Sequence, residues 1–137
     1  EDRFCTVCYV RVVTGDAGAR LTVSSGGHPL PVIVRGNGEV AVVGTPGTLL
    51  GIFGEPILAD VAVDLDRGDA IVLYTDGVTE ERDEEGMFGE ERLLEALRGA
   101  AGQDAQGIAA AVGDAVQRFR PEAPRDDLAV LTLLVLP

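Results

Sequence analysis

Cysteine and histidine are nearly absent from this chain of 137 residues, which has two of the first and one of the second. Cys5 and Cys8 are three apart, a spacing that in a strand sends the side chains to opposite faces. No second cysteine pair and no further histidine exist to complete a zinc site. The two thiols therefore read as core residues in a reducing compartment, the cytoplasm. Aromatic residues make up only 4% of the chain, so the interior has to be built from Val, Leu, Ile and Ala, a choice that favours strands and small-residue helices. Bases are scarce as well. Eleven of them against 23 acids leave a net charge of −12 with no basic patch, which excludes nucleic acid and anionic membrane surfaces as partners. The surplus acid reads first as a solubilising surface. No apolar run approaches the length of a membrane span, and no charged-then-apolar leader is present. Gly44 to Gly54 is glycine-rich but lacks the Gly-Lys-Ser/Thr ending of a phosphate-binding loop. Without repeats or linkers, residues 1–137 are expected to form a single domain. Because the sequence opens on Glu1 and a core-like strand begins by Phe4, that domain reads as a piece of something longer.

What is present is a run of strands, two helices and a closing strand. Phe4 to Val13 is β-branched, aromatic and thiol-rich on both alternating faces, which predicts a central strand packed on both sides. A turn at Thr14 to Gly18 returns it as Ala19 to Ser25. After a glycine-rich corner, Val32 to Arg35 and Glu39 to Val43 flank Gly36-Asn37-Gly38, the signal of a two-residue hairpin turn. Gly44 to Gly54 reads as a loop with one helical turn. Ile57 to Leu65 and Ala70 to Tyr74 read as strands around a turn at Asp66 to Asp69. Glu80 to Gly89 is an acidic loop or frayed helix, Glu90 to Arg98 a helix, and Ala105 to Phe119 a second helix with Ile108, Ala111, Val112, Ala115, Val116 and Phe119 on one face. Pro121 and Pro124 end it. Leu128 to Leu136, apolar on both faces, is expected to be a second central strand. The sum is an α+β layered domain, sheet against sheet with helices outside.

Two acidic sites carry the chemistry. Asp76-Gly77 follows a core strand directly, and Asp126-Asp127 directly precedes another. Antiparallel pairing of those strands brings the aspartates to the same sheet rim, where they can share a hard divalent cation. Alone, each acid is more often a turn former or a local cap. Asp64, Asp66 and Asp69 imitate the start of a calcium loop, but its twelfth position is Thr75 and its flanks are strands, so a solvated turn is the better reading; an acidic calcium-binding β domain stays as a remote alternative.

Gly68-Asp69, Leu73-Tyr74-Thr75-Asp76-Gly77-Val78-Thr79-Glu80, Phe88-Gly89 and Asp126-Asp127-Leu128 together resemble the bacterial branch of the metal-dependent protein phosphatases. This is the PPM or type 2C family, in its group of stage-two sporulation protein E and sigma-factor regulators. Ser24-Ser25-Gly26-Gly27-His28-Pro29 is similar to that group's Asn-Ala-Gly-His-Pro-Pro corner, departing at the first two positions, and Leu50-Gly51-Ile52 resembles its Leu-Gly-Leu/Ile segment. The resemblance implies an αββα sandwich with two Mn²⁺ or Mg²⁺ ions, at which an acidified water attacks a phosphoserine or phosphothreonine in line. It makes Asp76 and Asp126 metal ligands, Gly77 a point of close backbone approach, and Asp127 a weaker candidate, ligating or standing behind the ligands. Gly27 and His28 are structural members of a motif corner, and Thr75 and Thr79 are candidates to orient the loop. The family's bridging aspartate lies upstream of the strand matched by Phe4 to Val13 and has no counterpart here. The chain is thus expected to be the C-terminal portion of the catalytic domain, an αββα sandwich incomplete at its N-terminus, binding at most one ion and weak or inactive alone. The implied substrate is a phosphorylated bacterial regulator such as an anti-sigma factor antagonist. A homodimer through an exposed sheet edge is a further expectation, and a non-catalytic regulatory module with the same fold is the alternative.

Overall fold

A computed structural model describes residues 3–137; Glu1 and Asp2 lie outside it. In order along the chain come β1 (Val7–Thr14), β2 (Gly18–Gly26), β3 (Val32–Val34), β4 (Val40–Val42), β5 (Asp60–Asp66), β6 (Ala70–Tyr74), α1 (Asp76–Thr79), α2 (Gly89–Gly99), α3 (Ala105–Phe119) and β7 (Val130–Leu134). The strands form two antiparallel sheets, a first in the order β1-β2-β5 and a second in the order β4-β3-β6-β7.

Strand periodicity sorts the core into two layers. Ile33 and Ile71 point from the second sheet toward Leu21, Val23 and Leu65 of the first. Their neighbours Val32, Val34, Ala70, Val72 and Tyr74 point the other way, onto Leu93 and Leu97 of α2 and Ile108, Val112 and Val116 of α3. A sheet sandwiched in this way needs strands apolar at every position, which is what β3 and most of β6 supply. Asp104 caps α3 by accepting the Gly107 amide at 2.7 Å. Phe88 meets Phe119 edge-on at 5.5 Å and closes the helical layer.

Three expectations are corrected. First, β1 and β7 are not central: each lies at an edge of its sheet. Tyr9 and Val13 of β1 are exposed, because the outer face of the first sheet has no covering layer among the described residues. Leu131 and Leu133 share a face with their partners Leu73 and Ile71 yet are 57% and 41% exposed, because the first sheet does not extend over β7. Both strands are apolar on both faces, but among the described residues each pairs on one side only. Second, the β3–β4 hairpin has a three-residue loop: the Arg35 amide donates to Glu39 O while Gly38, at φ +94°, donates back to Arg35 O. The pattern is a turn plus a bulge, with the left-handed residue supplied by glycine. Third, no helical turn forms between Gly44 and Gly54, whereas one does form at Asp76–Thr79, directly after β6.

The turn before β6 is solvated at Asp66 and Arg67 but not at its last residue. Asp69 is buried, its carboxylate taking the Arg35 guanidinium at 2.7 Å and the Gly36 and Asp66 amides at 2.9 Å each. Burial pushes the Asp69 carboxyl up, but Arg35 and the two amides outweigh it and hold the group below the usual carboxylate range. With its oxygens committed to three donors, Asp69 is a turn anchor, and the calcium-loop reading loses its third acid.

A candidate metal-binding rim

The C-terminal end of β6 and the start of β7 meet at one end of the second sheet, with Tyr74 opposite Val130. Beyond that last rung the pairing continues through a side chain. The Thr75 amide donates to Ala129 O at 3.1 Å, the Ala129 amide donates to Thr75 Oγ1 at 3.0 Å, and Thr75 Oγ1 donates to Asp127 O at 3.1 Å. One hydroxyl thus acts as acceptor and donor and extends the ladder past the strand ends.

Gly77 follows for reasons of space. A Cβ at this position would stand 2.2 Å from the Asp127 carbonyl oxygen, so only glycine lets the first turn of α1 lie against the Asp126-Asp127 segment. Asp76 opens α1 and is exposed; Asp126 is exposed too, and its Oδ1 takes the Asp127 amide at 2.8 Å. The structure therefore brings the Asp76 and Asp126 segments side by side at one rim. Asp127 meets the rim through its carbonyl oxygen. Among the described residues no group of three or more His, Cys, Asp or Glu side chains gathers to hold an ion, so the candidate ligand set is this pair.

His28 belongs to the same end. Its Nε2 lies 3.1 Å from Tyr74 O, and a carbonyl can only accept, which places the proton on Nε2. The Nδ1 is then an acceptor for the Thr6 hydroxyl at 3.1 Å. The ring thereby ties the corner after β2 to the residue before Thr75. Ser25 Oγ donates to His28 O at 2.8 Å, and Gly27, at φ +68°, packs so tightly on Leu49 that a Cβ would lie 2.7 Å from that side chain. Thr6, His28, Pro29, Thr75, Asp76 and Glu80 help to line an open cleft of about 480 Å³ beside the rim.

Sequence reading missed Glu81. It falls inside an acidic run, yet it is only 3% exposed and forms a 2.7 Å ion pair with Arg120, 39 residues away. Nothing local to Glu80-Glu81-Arg82 distinguishes the buried acid from its solvated neighbours.

The family model for stage II sporulation protein E, SpoIIE, matches residues 1–135. The chain belongs to the SpoIIE family. Solved structures of SpoIIE-like fold agree: the SpoIIE phosphatase domain of Bacillus subtilis, presoaked with manganese, superposes with a TM-score of 0.73 at 21% identity over 96% of this chain and 57% of that one. The RsbU and RsbW domains of a Mycobacterium tuberculosis protein match with a TM-score of 0.68 at 22% identity, over 88% of this chain and 34% of that one. The catalytic domain of the serine/threonine phosphatase PstP, in complex with two manganese ions, matches with a TM-score of 0.60 at 17% identity, over 95% of this chain and 59% of that one. No match is found among the curated proteins. The SpoIIE-family fold is thus present, and the chain spans less than two thirds of the solved domains it resembles. The rim's donor chemistry suits a divalent cation such as the manganese of the SpoIIE and PstP structures, since exposed carboxylates are the ligands that hard divalent cations take.

Proposed function

We propose that this chain is the C-terminal portion of a metal-dependent protein serine/threonine phosphatase domain, and that Asp76 and Asp126 hold a Mn²⁺ or Mg²⁺ ion at the rim. The observation that carries the reading is the Thr75 crosslink with the Gly77 contact. Together they set two exposed carboxylates on adjoining segments beside an open cleft, in a SpoIIE-family chain. When bound, the cation would supply charge stabilisation and a more acidic water for phosphomonoester hydrolysis. The chain's own residues provide positioning. Thr75 fixes the spacing of the two acidic segments, Gly77 permits their contact, and His28 holds the end of β6 in place from the other sheet.

The proposed substrate is a phosphoserine or phosphothreonine in a bacterial regulator such as an anti-sigma factor antagonist, a role supported by the pairing of RsbU and RsbW domains in one similar protein. The proposed setting is the cytoplasm; among the described residues no helix is long and apolar enough to cross a membrane. With Asp76 and Asp126 as the ligand pair among the described residues, the chain is expected to bind one ion at most and to hydrolyse poorly by itself. Mn²⁺-dependent hydrolysis of p-nitrophenyl phosphate, compared between this chain and a form extended upstream, tests the reading. Activity in the extended form that survives Asp76→Asn would remove Asp76 from the site.

A second reading, a non-catalytic regulatory module with the same fold, draws support from the exposed apolar side chains of Tyr9, Val13 and Leu131 on the sheets. Self-association through the β1 or β7 edge fits the exposed apolar side chains there. Light scattering over a concentration series that shows monomer throughout would exclude it.

A further inference from the structure

The segment from Pro121 to Ala129 has no regular structure, yet it carries Asp126. Its C-terminal side is held by Thr75 through Asp127 O. Its N-terminal side is held by Glu81: Oε2 of that carboxylate accepts the Arg125 amide at 3.2 Å, while Oε1 takes the Arg120 guanidinium at 2.7 Å. Arg120 follows α3 directly, donates to Arg82 O at 3.3 Å and also pairs with Glu122 at 2.8 Å. The backbone of Glu81 is fixed as well, its carbonyl accepting the Phe88 amide at 2.7 Å in the helical core. Asp126 is therefore bracketed, with residue 125 pinned by one side chain and residue 127 by another, and both pins issue from the segment around α1 that begins with Asp76.

A buried ion pair is weak evidence of stability, because apolar residues of similar volume serve a core as well or better. What an apolar pair lacks is an acceptor for the Arg125 amide. The geometry points to Glu81, held by Arg120, as a positioning residue that sets the Asp126 carboxylate for its cation. Groups one step removed from a metal ligand typically govern affinity by about 10–100-fold when they orient that ligand. The inference rests on the metal reading of Asp76 and Asp126, and deepens it.

Two variants separate positioning from folding. The double substitution Glu81→Met with Arg120→Met removes the pair while keeping apolar volume. Arg125→Pro leaves the pair intact and deletes only the amide, with Arg125→Ala as the control for the exposed side chain. Each is titrated with Mn²⁺ by calorimetry and melted thermally beside the unmodified chain and Asp76→Asn. The expected result is saturable Mn²⁺ binding by the unmodified chain and by Arg125→Ala, binding abolished in Asp76→Asn, and binding weakened about tenfold or more in Arg125→Pro and in the double variant. The melting temperature of Arg125→Pro stays near that of Arg125→Ala. If Arg125→Pro binds Mn²⁺ as tightly as Arg125→Ala, the positioning role is overturned and the metal reading stands. If the unmodified chain shows no saturable Mn²⁺ binding, the metal reading falls and the positioning role with it.

Discussion

Thr75 Oγ1 donates to the carbonyl oxygen of Asp127 at 3.1 Å, and this contact continues the β6–β7 ladder beyond its last backbone pair. Serine keeps the hydroxyl, whereas valine keeps the shape and loses both hydrogen bonds. Thr75→Val is expected to cost about 1–3 kcal/mol, since the Ala129 amide and Asp127 carbonyl lose their partner. Thermal denaturation should show the loss, Mn²⁺ titration should show weaker binding, and Thr75→Ser should restore most of both.

Gly77 makes a sharper test because its constraint is contact rather than backbone conformation. Alanine there places a methyl 2.2 Å from Asp127 O, so α1 and the Asp126 segment have to separate. Gly77→Ala is expected to destabilise the domain by about 1–3 kcal/mol and to remove Mn²⁺ binding, while far-UV circular dichroism at low temperature stays that of the parent.

Acid should act through Asp69. Its folded-state value lies below the usual carboxylate range, so the carboxylate contributes stability above its unfolded value and loses that contribution as pH falls through the lowered folded value. Denaturant melts at neutral pH and toward pH 2–3 should show Asp69→Asn to be less stable at neutral pH by about 1–3 kcal/mol, with the gap closing in acid.

Base should act through Tyr74, whose phenol burial, reinforced by the Glu90 charge, pushes up to about 12. A raised folded value means that stability is full below the unfolded value near 10 and is lost as pH rises toward 12. The chain contains no lysine to obscure that window. Tyr74→Phe should flatten the decline of unfolding free energy between pH 10 and 12 relative to the parent.

Much of this architecture was legible because its causes are local. α3 announces itself through apolar positions at offsets of three and four, ended by Pro121, and the strand order of the β1–β2 and β3–β4 hairpins follows from glycine-bearing turns. The placement of Asp76 and Asp126 was legible too, since strand exit and strand entrance fall at one rim when β6 and β7 run antiparallel. What stayed hidden depends on distant partners. Glu81 looks like any acid in its run until Arg120 folds against it, and Asp69 looks like a solvated turn residue until the β3–β4 hairpin delivers Arg35 and the Gly36 amide. The edge positions of β1 and β7 were misread because side-chain pattern reports a wish for burial without saying who grants it. His28 was read as a structural member of its corner, and the partners its ring takes, Thr6 and Tyr74 O at the rim, could not be seen from the sequence.

The edge strands β1 and β7 border one apolar groove, lined among others by Val12, Leu21, Ile71 and Leu133. A lone ribbon added to either margin would saturate one row of main-chain donors and leave the other wet. A polypeptide that paired with both margins at once would therefore need the form of a two-storey wedge, with one β segment at each level and an oily seam between them.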